Sequence, residues 1–146
     1  MKIYEVADKK EYLPLLLLAD EQESMIDRYI GFSKMFVIDD NGIKGEIAVC
    51  ELPDGVLEIK SLAVFPEFQK QGYGKKLIEF ICKKYQNDFS VIHVGTGDSG
   101  LTVPFYEKCG FEKFKVVENF FTDNYDHPIT ENGKRLIDMI YLKKEL

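Results

Sequence analysis

The chain has 146 residues, 45% hydrophobic and 30% charged, with a net charge of -6 at neutral pH. That length suits one domain with a core that needs neither disulfides nor metal, and the charge disfavours nucleic acid and anionic membranes while mildly favouring a cationic substrate. Cys50, Cys82 and Cys109 are an odd set without Cys-x-x-Cys spacing, each in an apolar stretch, so they read as buried thiols rather than a disulfide framework or zinc site.

In chain order, Lys2 to Val6 alternates like a strand. The opening residues Met1 to Glu5, followed by charged residues, are not expected to form a secretory leader, and the apolar run Leu13 to Ala19 holds Pro14 and is too short to span a bilayer. A cytoplasmic location is therefore expected. Helical segments are predicted between Glu11 and Ile30, with Met25, Ile26 and Tyr29 on one face. Met35 to Ile38 is a strand closed by the hairpin signal Asp39-Asp40-Asn41-Gly42, Glu46 to Leu52 returns, and Pro53-Asp54-Gly55 turns the chain again. Val56 to Val64 alternates, placing Leu57, Ile59 and Ala63 on one face and Glu58, Lys60 and Leu62 on the other.

A long helix is predicted from about Gly72 to Gln86, then a strand from Val91 to Gly95. Thr102 is the expected cap of a short helix around Tyr106, with Pro104 tolerated in its first turn. Phe111 to Phe121 and Leu136 to Lys143 are predicted as two closing strands joined by a polar loop. No repeat or linker interrupts the chain. The expectation is one α/β (α+β mixed) domain over residues 1–146, with a mostly antiparallel mixed sheet and helices on both faces.

The most informative segment is Gln69-Lys70-Gln71-Gly72-Tyr73-Gly74-Lys75-Lys76-Leu77, between the Val56 strand and the long helix. Two glycines at such a junction leave backbone N–H groups bare, and the first turn of a helix carries unpaired donors and partial positive charge. Lys70, Lys75 and Lys76 add full charges, so the segment reads as a phosphate cradle. Leu77 stands where a dinucleotide fingerprint needs a third glycine, and Lys76 where a triphosphate loop needs Ser or Thr. The remaining pattern, Gln-x-x-Gly-x-Gly, resembles the coenzyme A pyrophosphate loop of the GNAT superfamily of N-acetyltransferases. On this segment alone, an ordinary turn is the alternative.

Downstream, Pro104-Phe105-Tyr106-Glu107-Lys108-Cys109-Gly110-Phe111 resembles the Phe-Tyr-x-x-x-Gly-Phe element that closes the coenzyme site in the same superfamily. The two motifs stand in the family's order, and the resemblance spans Val56 to Phe111. It implies a single GNAT-like domain and acetyl-CoA as co-substrate. Gln69, Lys70, Gln71, Gly72, Tyr73, Gly74 and Lys75 would hold the pyrophosphate. Leu62, Ala63 and Val64 would bind the pantetheine arm through backbone groups, and one N–H would polarise the thioester oxygen. Ser99 stands where many relatives place a pantetheine-binding Asn, and its shorter reach is a departure from the pattern.

Acetyl transfer needs a neutral amine, yet an amine with a pKa of about 10.4 is neutral only about once in 2,500 molecules at pH 7. The resemblance offers Glu58 as base, at the position of the glutamate in the family's histone-acetylating branch, and Tyr106 as acid beside the coenzyme sulfur. The alternatives are a solvated Glu58 paired with Lys60, a water relay, and a Tyr106 that only packs with Phe105 and Phe111. His93 reads as a core histidine, and no ligand spacing calls for a metal. The loop residues Asp123, Tyr125 and Asp126 are offered as holders of a cationic amine, with plain surface as the other reading.

The resulting expectation is an acetyl-CoA-dependent N-acetyltransferase acting by direct transfer in a ternary complex, without an acetyl-enzyme. The acceptor would be a small-molecule or protein primary amine. A non-catalytic acyl-CoA-binding or regulatory module is the alternative, and thioester hydrolysis a third. An edge strand near the C-terminus makes a homodimer a candidate assembly.

Overall fold

The computed structural model describes residues 1–146. Four strands, β1 (Lys2–Val6), β2 (Lys34–Asp39), β3 (Ile43–Leu52) and β4 (Val56–Val64), lie side by side as antiparallel neighbours. β5 (Val91–Gly97) then pairs parallel with β4. After β6 (Glu112–Val117) and a separate small hairpin, β7 (Thr130–Glu131) with β8 (Lys134–Arg135), β9 (Met139–Glu145) inserts antiparallel between β5 and β6. The large sheet has seven strands in the order β1-β2-β3-β4-β5-β9-β6, which leaves β1 and β6 at its two edges.

Helices cover both faces. On one, α3 (Tyr73–Tyr85) buries Leu77, Ile78, Ile81 and Tyr85 against Phe36, Ile38, Ile47, Val49, Leu57 and Ile59, joined by α4 (Val103–Lys108). Burying each such aliphatic side chain contributes about 1.5–3 kcal/mol. On the other, α1 (Leu13–Ala19), α2 (Glu23–Ile26) and the turns after it set Leu16, Ile26, Tyr29 and Ile30 on Met35, Val37, Ala48 and Cys50. No helix is long and apolar enough to cross a membrane.

Three expectations change. First, Ala48 faces Ser61 while Val49 faces Ile59, so Lys60 is an extra residue that bulges out of β4. A bulge reverses the alternation beyond it. Leu62 and Val64 therefore join Leu57 and Ile59 on the α3 face, and Ser61 and Ala63 turn to the face of Glu58, not the arrangement uniform alternation predicts. Second, the strand expected to run to Phe121 ends at Val117. Asn119 takes a left-handed conformation (φ 57°), its N–H bonds the Asp138 carboxylate at 2.9 Å, and α5 (Phe120–Asn124) follows. Third, Thr102 makes no side-chain cap, because its hydroxyl bonds that of Thr96. Of the cysteines, Cys50 is buried while Cys82 and Cys109 are only half-buried.

What positions the site is an interrupted pairing. β4 and β5 pair from Val56–Val91 to Ile59–Val94 and no further. Beyond that point Lys60–Val64 and Gly95–Gly97 part, and a gap opens in mid-sheet.

Candidate active site

The gap is a cleft of about 430 Å³, walled by the β4 segment Lys60–Val64 and the β5 segment Val94–Gly97, with Tyr106 on the α4 side and Tyr125 and Glu131 opposite. Its size and mixed lining suit an extended organic ligand. The β4 edge facing it has free backbone groups at Leu62 and at the Val64 N–H, whereas the backbone groups of Ala63, placed there by the sequence reading, turn to Glu46 of β3, because alternate residues of an antiparallel strand face opposite edges. Gln69 Nε2 donates to the Val64 carbonyl at 3.1 Å, joining the strand end to the following loop.

That loop is built as a concave run of donors. Lys70 and Gly72 both have left-handed backbones (φ 64° and 90°), and Gly72 caps α3. A Cβ on Gly72 would meet no atom within 4 Å, so the space beside it is open, but its φ strongly favours glycine. The N–H groups of Gly72, Tyr73, Gly74 and Lys75 take no acceptor within the molecule; the Lys76 N–H is the first that does, bonding the Gly72 carbonyl at 3.0 Å. The exposed Lys70, Lys75 and Lys76 surround these donors. Such a nest at a helix start has the geometry and charge that suit an anion. The Tyr73 side chain is not part of it: the ring is buried and its hydroxyl donates to Asp40 Oδ2 at 2.8 Å, leaving only the backbone N–H at the loop. Gln71 bonds the Glu67 carbonyl weakly at 3.5 Å.

Tyr106 is buried between Phe105 and Phe111, with ring centroids 5.2 and 5.7 Å away. Burial pushes its phenol well above the usual range, and the charges of Cys109, Glu46 and Glu131 add to the shift. It is therefore protonated at neutral pH and available as a donor inside the cleft. Ser99 is not in the cleft wall; its hydroxyl donates to Glu131, and the Leu101 N–H donates to its oxygen.

Glu58 is 7% exposed and bonded to the Lys60 ammonium, which occupies its Oε2. Burial is the largest single influence on the Lys60 pKa and pulls it down, but the bond to Glu58, the Glu58 charge and weaker charges nearby together outweigh it and the net direction is up. Both line a neighbouring cavity of about 250 Å³, with Asp20, Arg28, Tyr29 and Tyr125. Asp20, Lys60 and Tyr125 border both cavities, which makes them one continuous depression. Tyr125 donates to Asp20 Oδ1 at 2.8 Å. Burial raises the Asp20 carboxyl above the usual range, and the Tyr125 bond offsets only part of that. Asp123 and Asp126 stand outside the walls; Asp126 bonds His127, whose other nitrogen contacts Glu21 at 3.1 Å.

Pattern reading of single segments missed Asp20, Glu131, Ser61 and Glu46. Only a bulge signal near Lys60 would have brought Ser61 forward, and no local pattern announces one.

A family model described as an acetyltransferase (GNAT) domain matches residues 31–113. The sequence is 32% identical over 139 residues, 93% of this chain and 90% of the relative, to the uncharacterized N-acetyltransferase YvbK of Bacillus subtilis (strain 168). The structure is similar to an IAA acetyltransferase from Bacillus cereus ATCC 14579, with TM-score 0.93, 32% identity and 99% of each chain covered. It is similar too to a GNAT family acetyltransferase from Elizabethkingia anophelis with acetyl-CoA bound, with TM-score 0.91, 35% identity, and 99% of this chain and 97% of that one covered. With both motifs flanking one cleft and these likenesses over nearly its whole length, the chain belongs to the GNAT family of acetyltransferases.

Proposed function

We propose that this protein transfers the acetyl group of acetyl-CoA directly to a primary amine, with donor and acceptor bound together. The observation that carries the reading is the parting of β4 and β5 between the donor-rich Gly72 loop and the buried Tyr106. The pyrophosphate sits on the N–H groups of Gly72–Lys75, and the pantetheine runs along the free edge of β4 at Leu62 and Val64. The thioester carbonyl accepts a bond from an N–H of this edge. Such a fixed donor stabilises the oxyanion by a few kcal/mol, about what loss of one oxyanion-hole donor costs.

The amine nitrogen attacks the carbonyl carbon, the C–N bond forms, and the C–S bond breaks as the oxyanion collapses. The departing thiolate takes its proton from Tyr106. The burial that raises the phenol raises the thiol as well, so the pair stays matched. Glu58 is engaged by Lys60, and its part is to fix the bulge beside the cleft. The acceptor enters from the side of Asp20, Glu131 and Tyr125, where two carboxylates and an aromatic ring favour a cationic amine, small or on a protein.

The test is thiol release from acetyl-CoA against a panel of primary amines. Amine-dependent release with stoichiometric acetylated amine is expected. Tight acetyl-CoA binding with no release for any amine points to a binding module instead.

A further inference from the structure

Glu46 lies in the middle of β3 with its carboxyl fully buried, 0% exposed. Oε1 accepts a hydrogen bond from Ser61 Oγ at 2.5 Å, Oε2 has no partner, and no cation pairs with it. A buried carboxyl without a counter-ion is costly, and an apolar residue of similar shape would serve the packing better. Ser61 lines the cleft, and it turns toward Glu46 only because Lys60 bulges out of the strand before it. A carboxyl one hydroxyl away from the reaction cleft is therefore a product of the same irregularity that opens the site.

We propose that Ser61 and Glu46 form the proton outlet of the transfer: Ser61 Oγ accepts a proton from the attacking amine while its own proton passes to Glu46 Oε1. This rests on the acetyl-transfer reading above. The balance closes. The amine loses one proton as its C–N bond forms, Ser61 ends as it began, and Glu46 ends neutral. The proton Tyr106 gives to the thiolate is restored afterwards from Glu46 through solvent in the emptied cleft. Glu46 acts through Ser61 and is a positioning and proton-storing residue; Ser61 is the group that meets the amine.

The electrostatics fit. Burial pushes the Glu46 carboxyl up to about 8, against the smaller downward pull of the Ser61 bond, close to the range where a base serves an enzyme near neutral pH. The titratable groups that feel it are Tyr29, beyond α2, and Tyr106 on α4; each phenol is raised chiefly by its own burial and further by the Glu46 charge. Both are neutral in the working range. Lys60, next to Ser61, is bound to Glu58. When Glu46 takes the amine proton, its field on Tyr106 vanishes, and Tyr106 gives up its own proton more readily at the moment the thiolate leaves.

The experiment is the pH profile of kcat/KM for the full chain with acetyl-CoA and the best acceptor among lysine methyl ester, an aliphatic diamine and a peptide N-terminus. Glu46→Gln and Ser61→Ala are compared with the parent, and acetyl-CoA affinity and melting are measured alongside. The parent should gain activity as pH rises through about 8, where Glu46 ionises, on top of the amine's own ionisation. Both variants should lose about a hundredfold or more and lack the ionisation near 8, with acetyl-CoA affinity unchanged. A folded Glu46→Gln within tenfold of the parent and with a parallel profile overturns the relay and leaves the transferase reading standing. If Glu46→Gln does not fold, Ser61→Ala decides on the same criteria. A parent that releases thiol with no amine overturns the transferase reading, and the relay with it.

Discussion

Gly74 and Phe105 touch: a Cβ on Gly74 would lie 3.2 Å from Phe105 Cζ. The glycine belongs to the donor loop and the phenylalanine to the α4 segment that carries Tyr106, so the two sequence motifs are one packed unit. The geometry of the donor loop and the placement of Tyr106 are thereby mechanically linked.

Gly74→Asp adds a side chain against Phe105 and a negative charge where the pyrophosphate approaches. Acetyl-CoA affinity should fall at least tenfold by calorimetry. Overpacking typically costs about 1–3 kcal/mol, so the melting temperature should drop while circular dichroism keeps its native shape. Unchanged affinity would place the pyrophosphate elsewhere.

Tyr106→Phe keeps the ring between Phe105 and Phe111 and removes only the hydroxyl. A general acid contributes about 10²–10⁴-fold, so kcat should drop by that factor with the Michaelis constant for acetyl-CoA nearly unaltered. A kcat that does not move, with chemistry rate-limiting, removes Tyr106 from the proton path.

Glu58→Gln should behave unlike Glu46→Gln. It frees Lys60 and disturbs the bulge, so kcat should fall, but the ionisation near 8 assigned to Glu46 should persist in the pH profile. Loss of that ionisation in Glu58→Gln alone would make Glu58 the base.

Stability should carry the imprint of Glu46. Its carboxyl titrates near 8 in the folded protein against an ordinary value of 4.5. Between these values the folded state holds a proton that the unfolded chain has lost. Stability therefore falls as pH rises through this window, by at most about 1.4 kcal/mol per pH unit. Denaturant titrations from pH 5 to 8 should show this slope in the parent and a flatter one in Glu46→Gln.

Asp20→Asn should raise the Michaelis constant of a cationic acceptor. A hydrogen bond to a charged group is worth about 1.5–3 kcal/mol, or roughly ten- to a hundredfold. The constant for acetyl-CoA should stay put. Asp123→Asn and Asp126→Asn, outside the cavity walls, should do much less. A larger effect from either would show that the loop after α5 closes over the acceptor.

Much of the fold was written in local patterns. Lys2–Val6 and Val56–Val64 are legible as strands from their local alternation, although β4 buries both faces and its alternation breaks at Lys60, and Leu77-Ile78-Ile81-Tyr85 is legible as a helical stripe because burial on one face of a helix imposes a period of 3.6. Gly72 was legible as part of the Gln-x-x-Gly-x-Gly run that leaves N–H groups bare, and the left-handed backbone it adopts there (φ 90°) favours glycine. The Lys60 bulge was not, since it exists only in the register between β3 and β4, and that register is a relation between distant residues. With it went Ser61 and Glu46, which look like ordinary polar residues of two strands until the pairing sets one against the other in a dry interior. The sequence by itself determined the elements and the donor loop, because these follow from neighbours along the chain. Only the tertiary structure decided which carboxyls face the cleft, because that depends on where strands part and which helices close over them.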